Sequence, residues 1–150
     1  MDKYDSLKIK NQLCFPLYLT AKEMTGVYNR KLKNLDLTYT QYIVMMYFWE
    51  KGSSNLKELS KTLMLDSSTL TPIVKKLEAK GFIQKQRSEK DERNLVLTLT
   101  KKGEQLKEEA LDIPFEVGRC VDVTNEEMKQ LRAITAKILM NIRNSAPQGK

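Results

Sequence analysis

The residues of this chain best equipped for chemistry are its two cysteines, Cys14 and Cys120, which stand 106 positions apart. Two thiols at that separation form neither a disulfide framework nor a zinc-ligand set. In a reducing compartment they begin as thiols, and the thiolate is the reactive form. Histidine is absent. That removes the usual general base, the Ser–His and Cys–His nucleophile pairs and imidazole metal ligands. The sequence also lacks a phosphate-cradling glycine loop and a dinucleotide fingerprint. No metal, no cofactor and no enzymatic turnover is expected. Cys14 lies in NQLCFPLYLT, residues 11–20, beside Leu13, Phe15, Leu17 and Tyr18. Taken alone, a thiol in such a setting reads as a small core residue.

The elements that must position these groups follow from length and pattern. A chain of 150 residues predicts one domain, or one domain with arms for dimerisation. No window is apolar for long enough to span a bilayer, and the polar start MDKYDSLKIK has no signal core, so a cytoplasmic location is expected. The net charge is +7, and between Ser67 and Lys102 nine bases face four acids. A basic excess concentrated in one quarter of the chain points to nucleic acid.

Residues 6–33 read as a long helix with an irregular start. Pro16 predicts a bend just past Cys14, or a true start near Leu13, with the Gln12 carbonyl left without a helical partner. Thr38 and Gln41 have capping-box spacing and open an apolar helix running to Trp49. Gly52 to Asn55 ends that helix and caps the next. Leu56, Leu59 and Leu63 mark one short helix; Leu70, Ile73, Val74 and Leu77 mark a second, closed by Gly81. Phe82–Arg87 and Leu95–Thr100 read as two strands around a charged turn. Lys101–Ile113 is predicted helical with Pro114 interrupting it. Thr124 to Glu127 is a second capping box before a helix striped by Met128, Leu131, Ile134, Ile138 and Ile142.

This order is that of a winged helix-turn-helix, a mainly α (α+β) fold. Ser67, Ser68, Thr69, Thr71 and Pro72 open the second helix, where base contacts are made. Lys75 and Lys76 follow where phosphates would lie. Arg87, Asp91 and Arg93 belong to the hairpin, and Arg93 at its tip suits a narrow minor groove.

Residues 56–103 resemble the MarR family of bacterial transcription regulators. The resemblance rests on Leu56-Lys57-Glu58-Leu59, Ser68-Thr69-Leu70-Thr71-Pro72, Leu77 to Ile83, Asp91-Glu92-Arg93, Leu99-Thr100 and Gly103. Asn11 to Phe15, Tyr39 to Tyr42 and Asp112-Ile113-Pro114 resemble the OhrR branch of organic hydroperoxide sensors and the related SarZ and MgrA type. The resemblance implies a single MarR-type domain over 1–150. Residues 6–35 and 104–144 would intertwine two subunits into a homodimer, and about 38–102 would form the DNA-binding region. It implies a pseudo-palindromic double-stranded DNA operator, and repression relieved by an organic hydroperoxide. It also implies that Tyr28 and Tyr39, partly from across the dimer, hold the Cys14 thiolate, with Tyr18 a third candidate. Oxidised Cys14 would pair with Cys120 of the partner subunit, or with a low-molecular-weight thiol.

Other readings stand beside this one. A MarR-type regulator relieved by a small phenolic ligand would leave Cys14 structural. A thiol peroxidase would need a cationic activator that the neighbours of Cys14 do not supply. A sequence-neutral nucleoid protein fits the hydroxyl-rich helix poorly.

Overall fold

The computed structural model describes residues 3–87 and 95–145. The chain divides into two compact units, Met1–Pro114 and Phe115–Lys150. The first unit begins with two 3-10 turns, Asp5–Leu7 and Ile9–Asn11, followed by α1 (Cys14–Leu32). The helix therefore starts near Leu13, as one of the two sequence expectations had it. Pro16 is the third helical residue, where its missing N–H would have had no intrahelical acceptor. Gln12 is extended, so its carbonyl falls outside the helix.

α2 (Tyr39–Lys51) opens on a complete capping box. Thr38 Oγ1 accepts from the Gln41 N–H at 3.3 Å, and Gln41 Oε1 accepts from the Thr38 N–H at 3.1 Å. Gly52 closes the helix at φ +74°. The next two residues, which by sequence only end α2 and lead to the next cap, form a short strand, β1 (Ser53–Ser54). Asn55 then caps α3 (Leu56–Leu63). Met64 turns the chain at φ +53°, a left-handed conformation costly for a side chain, and α4 (Ser67–Ala79) follows. α4 ends in a Schellman motif: the Gly81 N–H donates to Glu78 O and the Phe82 N–H to Leu77 O. β2 (Ile83–Arg87) and β3 (Leu95–Leu99) pair antiparallel, Ile83 opposite Leu99 and Arg87 opposite Leu95. β1 adds to the other edge of β3, giving the order β1-β3-β2.

α5 (Lys101–Glu109) and α6 (Ile113–Val121) come next. The helix expected over 101–113 thus ends four residues early, and Pro114 does not break it. Proline is favoured at the start of a helix, where a missing N–H is harmless, and here it is the second residue of α6.

The core of the first unit is Leu32, Leu35, Leu37, Val44, Met45 and Phe48 against Leu59, Leu70, Leu77, Ile83 and Leu97, all buried. Full burial of such side chains stabilises by roughly 1.5–3 kcal/mol each. One close approach locks the sheet to α5. A Cβ built on Gly103 would lie 2.1 Å from the Phe82 carbonyl oxygen. The Gly103 carbonyl in turn accepts from Trp49 Nε1–H at 2.8 Å. Gly103→Ala is therefore expected to cost about 3 kcal/mol. Thermal unfolding should show this as a fall in Tm of roughly 6–12 °C.

The second unit holds α7 (Asn125–Ser145), capped by Thr124. Glu127 Oε2 accepts from the Thr124 N–H at 2.8 Å, and the Glu127 N–H donates to Thr124 Oγ1 at 3.2 Å. The Thr124 N–H, then its hydroxyl, hold the Glu127 carboxyl below its ordinary value. Of the predicted stripe, Leu131, Ile134 and Ile142 are 45%, 57% and 61% exposed, whereas Met128 and Ile138 are half-buried.

Candidate redox site and nucleic-acid interface

Cys14 is the first residue of α1 and is exposed. The free N–H groups of a helix start favour negative charge, so a sulfur that reacts as an anion stands at the favourable end. Residues Gln12 to Glu23 are all exposed, and α1 packs onto its own unit only from Met24 onward. Tyr18, one turn past Cys14, is 63% exposed.

The two tyrosines implied as thiolate donors do come together. The rings of Tyr28 and Tyr39 lie 4.8 Å apart. Tyr42 is 5.9 Å from Tyr28 and 5.9 Å from Trp49, so four rings run from α1 along α2. The Tyr39 N–H donates to Asn29 Oδ1 at 2.8 Å, pinning the start of α2 to α1. Burial, then the neighbouring Tyr39, raise the Tyr28 hydroxyl above its ordinary pKa. Burial, then Tyr28 and Tyr39, do the same for Tyr42. Tyr28 and Tyr42 therefore stay protonated donors at neutral pH. The structure does not bring Cys14 to this pair within one chain. Tyr28 lies fourteen positions after Cys14 on α1, about 21 Å along the axis. Cys120 is exposed on α6.

On α4, Ser67, Ser68, Thr69 and Pro72 are exposed along the first turns, and Lys75 and Lys76 follow on the surface. The Thr71 hydroxyl turns back to donate to Ser67 O at 2.7 Å. With Leu56, Val74, Lys75, Lys85, Leu95 and Leu97, Thr71 lines an apolar cavity of about 180 Å³. That is below the 300–1,000 Å³ usual for small-molecule sites. Arg87 is exposed at the end of β2. Asp91 and Arg93 lie outside the described residues.

Charge counting from sequence overstates the free bases. Lys85 pairs with Glu78 at 3.0 Å, Lys102 Nζ donates to Lys80 O at 2.8 Å, and Lys80 is tied to Asp36 and Gln41. Asn29, Gln41 and Lys80 have roles that no motif announced. Lys75 and Lys76 remain without an ion-pair partner among the described residues. Lys75→Ala and Lys76→Ala are each expected to weaken DNA binding across sequences. Each should also shrink the slope of log affinity against log salt by about 1, read from titrations at several salt concentrations.

A helix–turn–helix leading into an antiparallel hairpin, with an exposed hydroxyl-rich helix start, defines the class: a winged helix-turn-helix DNA-binding transcriptional regulator. Residues 26–110 match the transcriptional regulators SarA/Rot, and the chain belongs to this MarR-type family. It is 41% identical over 138 residues to the organic hydroperoxide resistance transcriptional regulator of Bacillus subtilis, covering 92% of this chain and 94% of the relative. It is 43% identical over 123 residues to the regulator SarZ of Staphylococcus haemolyticus, covering 82% and 84%. Among solved structures it is similar to AbfR of Staphylococcus epidermidis. Reduced AbfR bound to DNA superposes at a TM-score of 0.77 with 31% identity, over 93% of this chain and 98% of that one. Overoxidised AbfR bound to DNA gives 0.76 and disulfide-formed AbfR 0.64.

Proposed function

We propose that this regulator is a homodimeric repressor that senses organic hydroperoxides through Cys14 and releases its operator once Cys14 is joined to Cys120 of the partner subunit. The observation that carries the reading is the Tyr28–Tyr39 pair, 4.8 Å apart and beyond reach of Cys14 of the same chain. Such a pair serves a thiolate only if a second subunit delivers it. The outward apolar faces of α1 and α7 support that second subunit, since large exposed apolar patches mark interaction surfaces. A cytoplasmic location follows from the same reading.

The chemistry balances without a cofactor. The Cys14 thiolate attacks the distal peroxide oxygen, the O–O bond breaks, and the alcohol leaves after taking a proton. Cys14 is oxidised to the sulfenic acid and the hydroperoxide is reduced. Cys120 of the partner subunit gives up its thiol proton, its thiolate attacks the Cys14 sulfur, and the sulfenic hydroxyl takes a proton and leaves as water as the disulfide forms. The AbfR structures support a decisive role for the second step. That relative was solved on DNA in an overoxidised form, and its disulfide form superposes less well on this chain than its reduced form does.

A non-reducing gel tests the pairing. Cumene hydroperoxide should convert the wild type to a dimer-sized band that dithiothreitol reverses. The band should be missing in both Cys14→Ser and Cys120→Ser. A crosslink that survives Cys120→Ser would refute the partner thiol.

A further inference from the structure

Lys80 follows the last residue of α4, and its ammonium reaches the start of α2. It donates to Gln41 Oε1 at 3.2 Å and to the Asp36 carbonyl, and lies 3.3 Å from the Asp36 carboxylate. Asp36 is held at φ +53°, a conformation rare for a residue with a side chain. The Asp36 carboxylate is 82% exposed, so this ion pair contributes little by itself. Gln41 differs: it is 4% exposed, and its Oε1 accepts from both the Thr38 N–H and the Lys80 ammonium. The residue between Thr38 and the rest of α2 is Tyr39, whose N–H is held by Asn29 of α1. The backbone of Tyr39, the capping box beside it and the Gln41–Lys80 hydrogen bond therefore link the segment that carries the tyrosine pair to the C-terminal end of α4. Lys102 Nζ fixes that end from the other side through Lys80 O.

We propose that Lys80 is the positioning residue that couples the state of the tyrosine pair to the aim of α4. The inference rests on the sensor reading above and adds the route by which it acts. When Cys14 of the partner subunit changes oxidation state, Tyr39 shifts. Thr38 and Gln41 shift with it, because the capping box makes them one body. The ammonium follows its two acceptors, and α4 turns about its C-terminal end. α4 is 13 residues long, about 20 Å. A turn of roughly 5° at Lys80 therefore displaces the base-reading end by about 1.7 Å. That is enough to break hydrogen bonds to base edges.

The test is fluorescence anisotropy with a duplex from the region upstream of the regulator's own gene, using reduced and cumene-hydroperoxide-treated protein. Wild type should lose at least tenfold in affinity on oxidation. Lys80→Met keeps the aliphatic stem and removes the donor. Its reduced form should bind within threefold of wild type, and its Cys14 should oxidise at the wild-type rate by mass spectrometry. Its loss on oxidation should fall below threefold. Lys80→Arg and Gln41→Glu, which preserve a charged donor and a capping acceptor, should restore the tenfold response. Should Lys80→Met fail to melt cooperatively, Lys80→Leu, which also lacks the donor, carries the same expectation. A Lys80→Met protein that releases DNA as wild type does overturns the coupling alone. So does a stably folded one whose reduced form has lost DNA binding. A wild type that holds DNA equally in both states overturns the sensor reading and the coupling with it.

Discussion

Cys14→Ser is expected to bind operator DNA within about twofold of the reduced wild type and to stay bound after treatment with organic hydroperoxide. The first half follows from shape. Cys14 is the first residue of α1, and serine replaces its sulfur by a smaller atom that still makes hydrogen bonds. Serine is close in size and a good residue near a helix start. The second half follows from chemistry, because a serine hydroxyl cannot climb the sulfenic-acid ladder. Anisotropy with and without cumene hydroperoxide reads both halves. Release from Cys14→Ser at wild-type peroxide concentrations would mean that the sensing atom lies elsewhere.

The double variant Tyr28→Phe, Tyr39→Phe is expected to form the sulfenic acid at least tenfold more slowly. Hydrogen bonds to a charged group are worth about 1.5–3 kcal/mol, and about 1.4 kcal/mol is a factor of ten in rate. Phenylalanine keeps the ring contact at 4.8 Å and removes only the hydroxyls, so the fold should survive. Burial and the neighbouring Tyr39 raise the Tyr28 pKa. The Tyr28 donor therefore persists through neutral and mildly alkaline solution, and the rate deficit should persist there too. Stopped-flow oxidation with dimedone trapping measures it. Tyr18→Phe, at an exposed position, should slow the reaction less. A double variant that reacts as fast as wild type would return both tyrosines to a packing role.

Much of this was legible in the residues because local chemistry and fold agree here. Both capping boxes, Thr38 to Gln41 and Thr124 to Glu127, form as their spacing demands. Gly81 closes α4 at φ +75°. The alternation of Leu95, Leu97 and Leu99 is the central strand of the sheet. What escaped was set by packing or by backbone. A two-residue strand such as β1 has no periodicity to read. Met64 turns the helix–turn–helix in a conformation that glycine would have announced. Pro16 and Pro114 read as disruptions, yet both sit in first turns, where proline is tolerated. At the site, the residues alone made Cys14 a small core side chain, which its exposure contradicts, and the family resemblance supplied both its redox role and the tyrosines. Lys80 escaped because sequence counts a lysine as charge. Only the fold shows it held by the buried amide of Gln41.

The most direct measurement is the affinity of the wild type for the duplex upstream of its own gene, taken reduced, after cumene hydroperoxide, and after dithiothreitol. Sensing through Cys14 requires tight binding, at least tenfold weaker binding, and recovery, in that order. Equal affinity in all three states would contradict it.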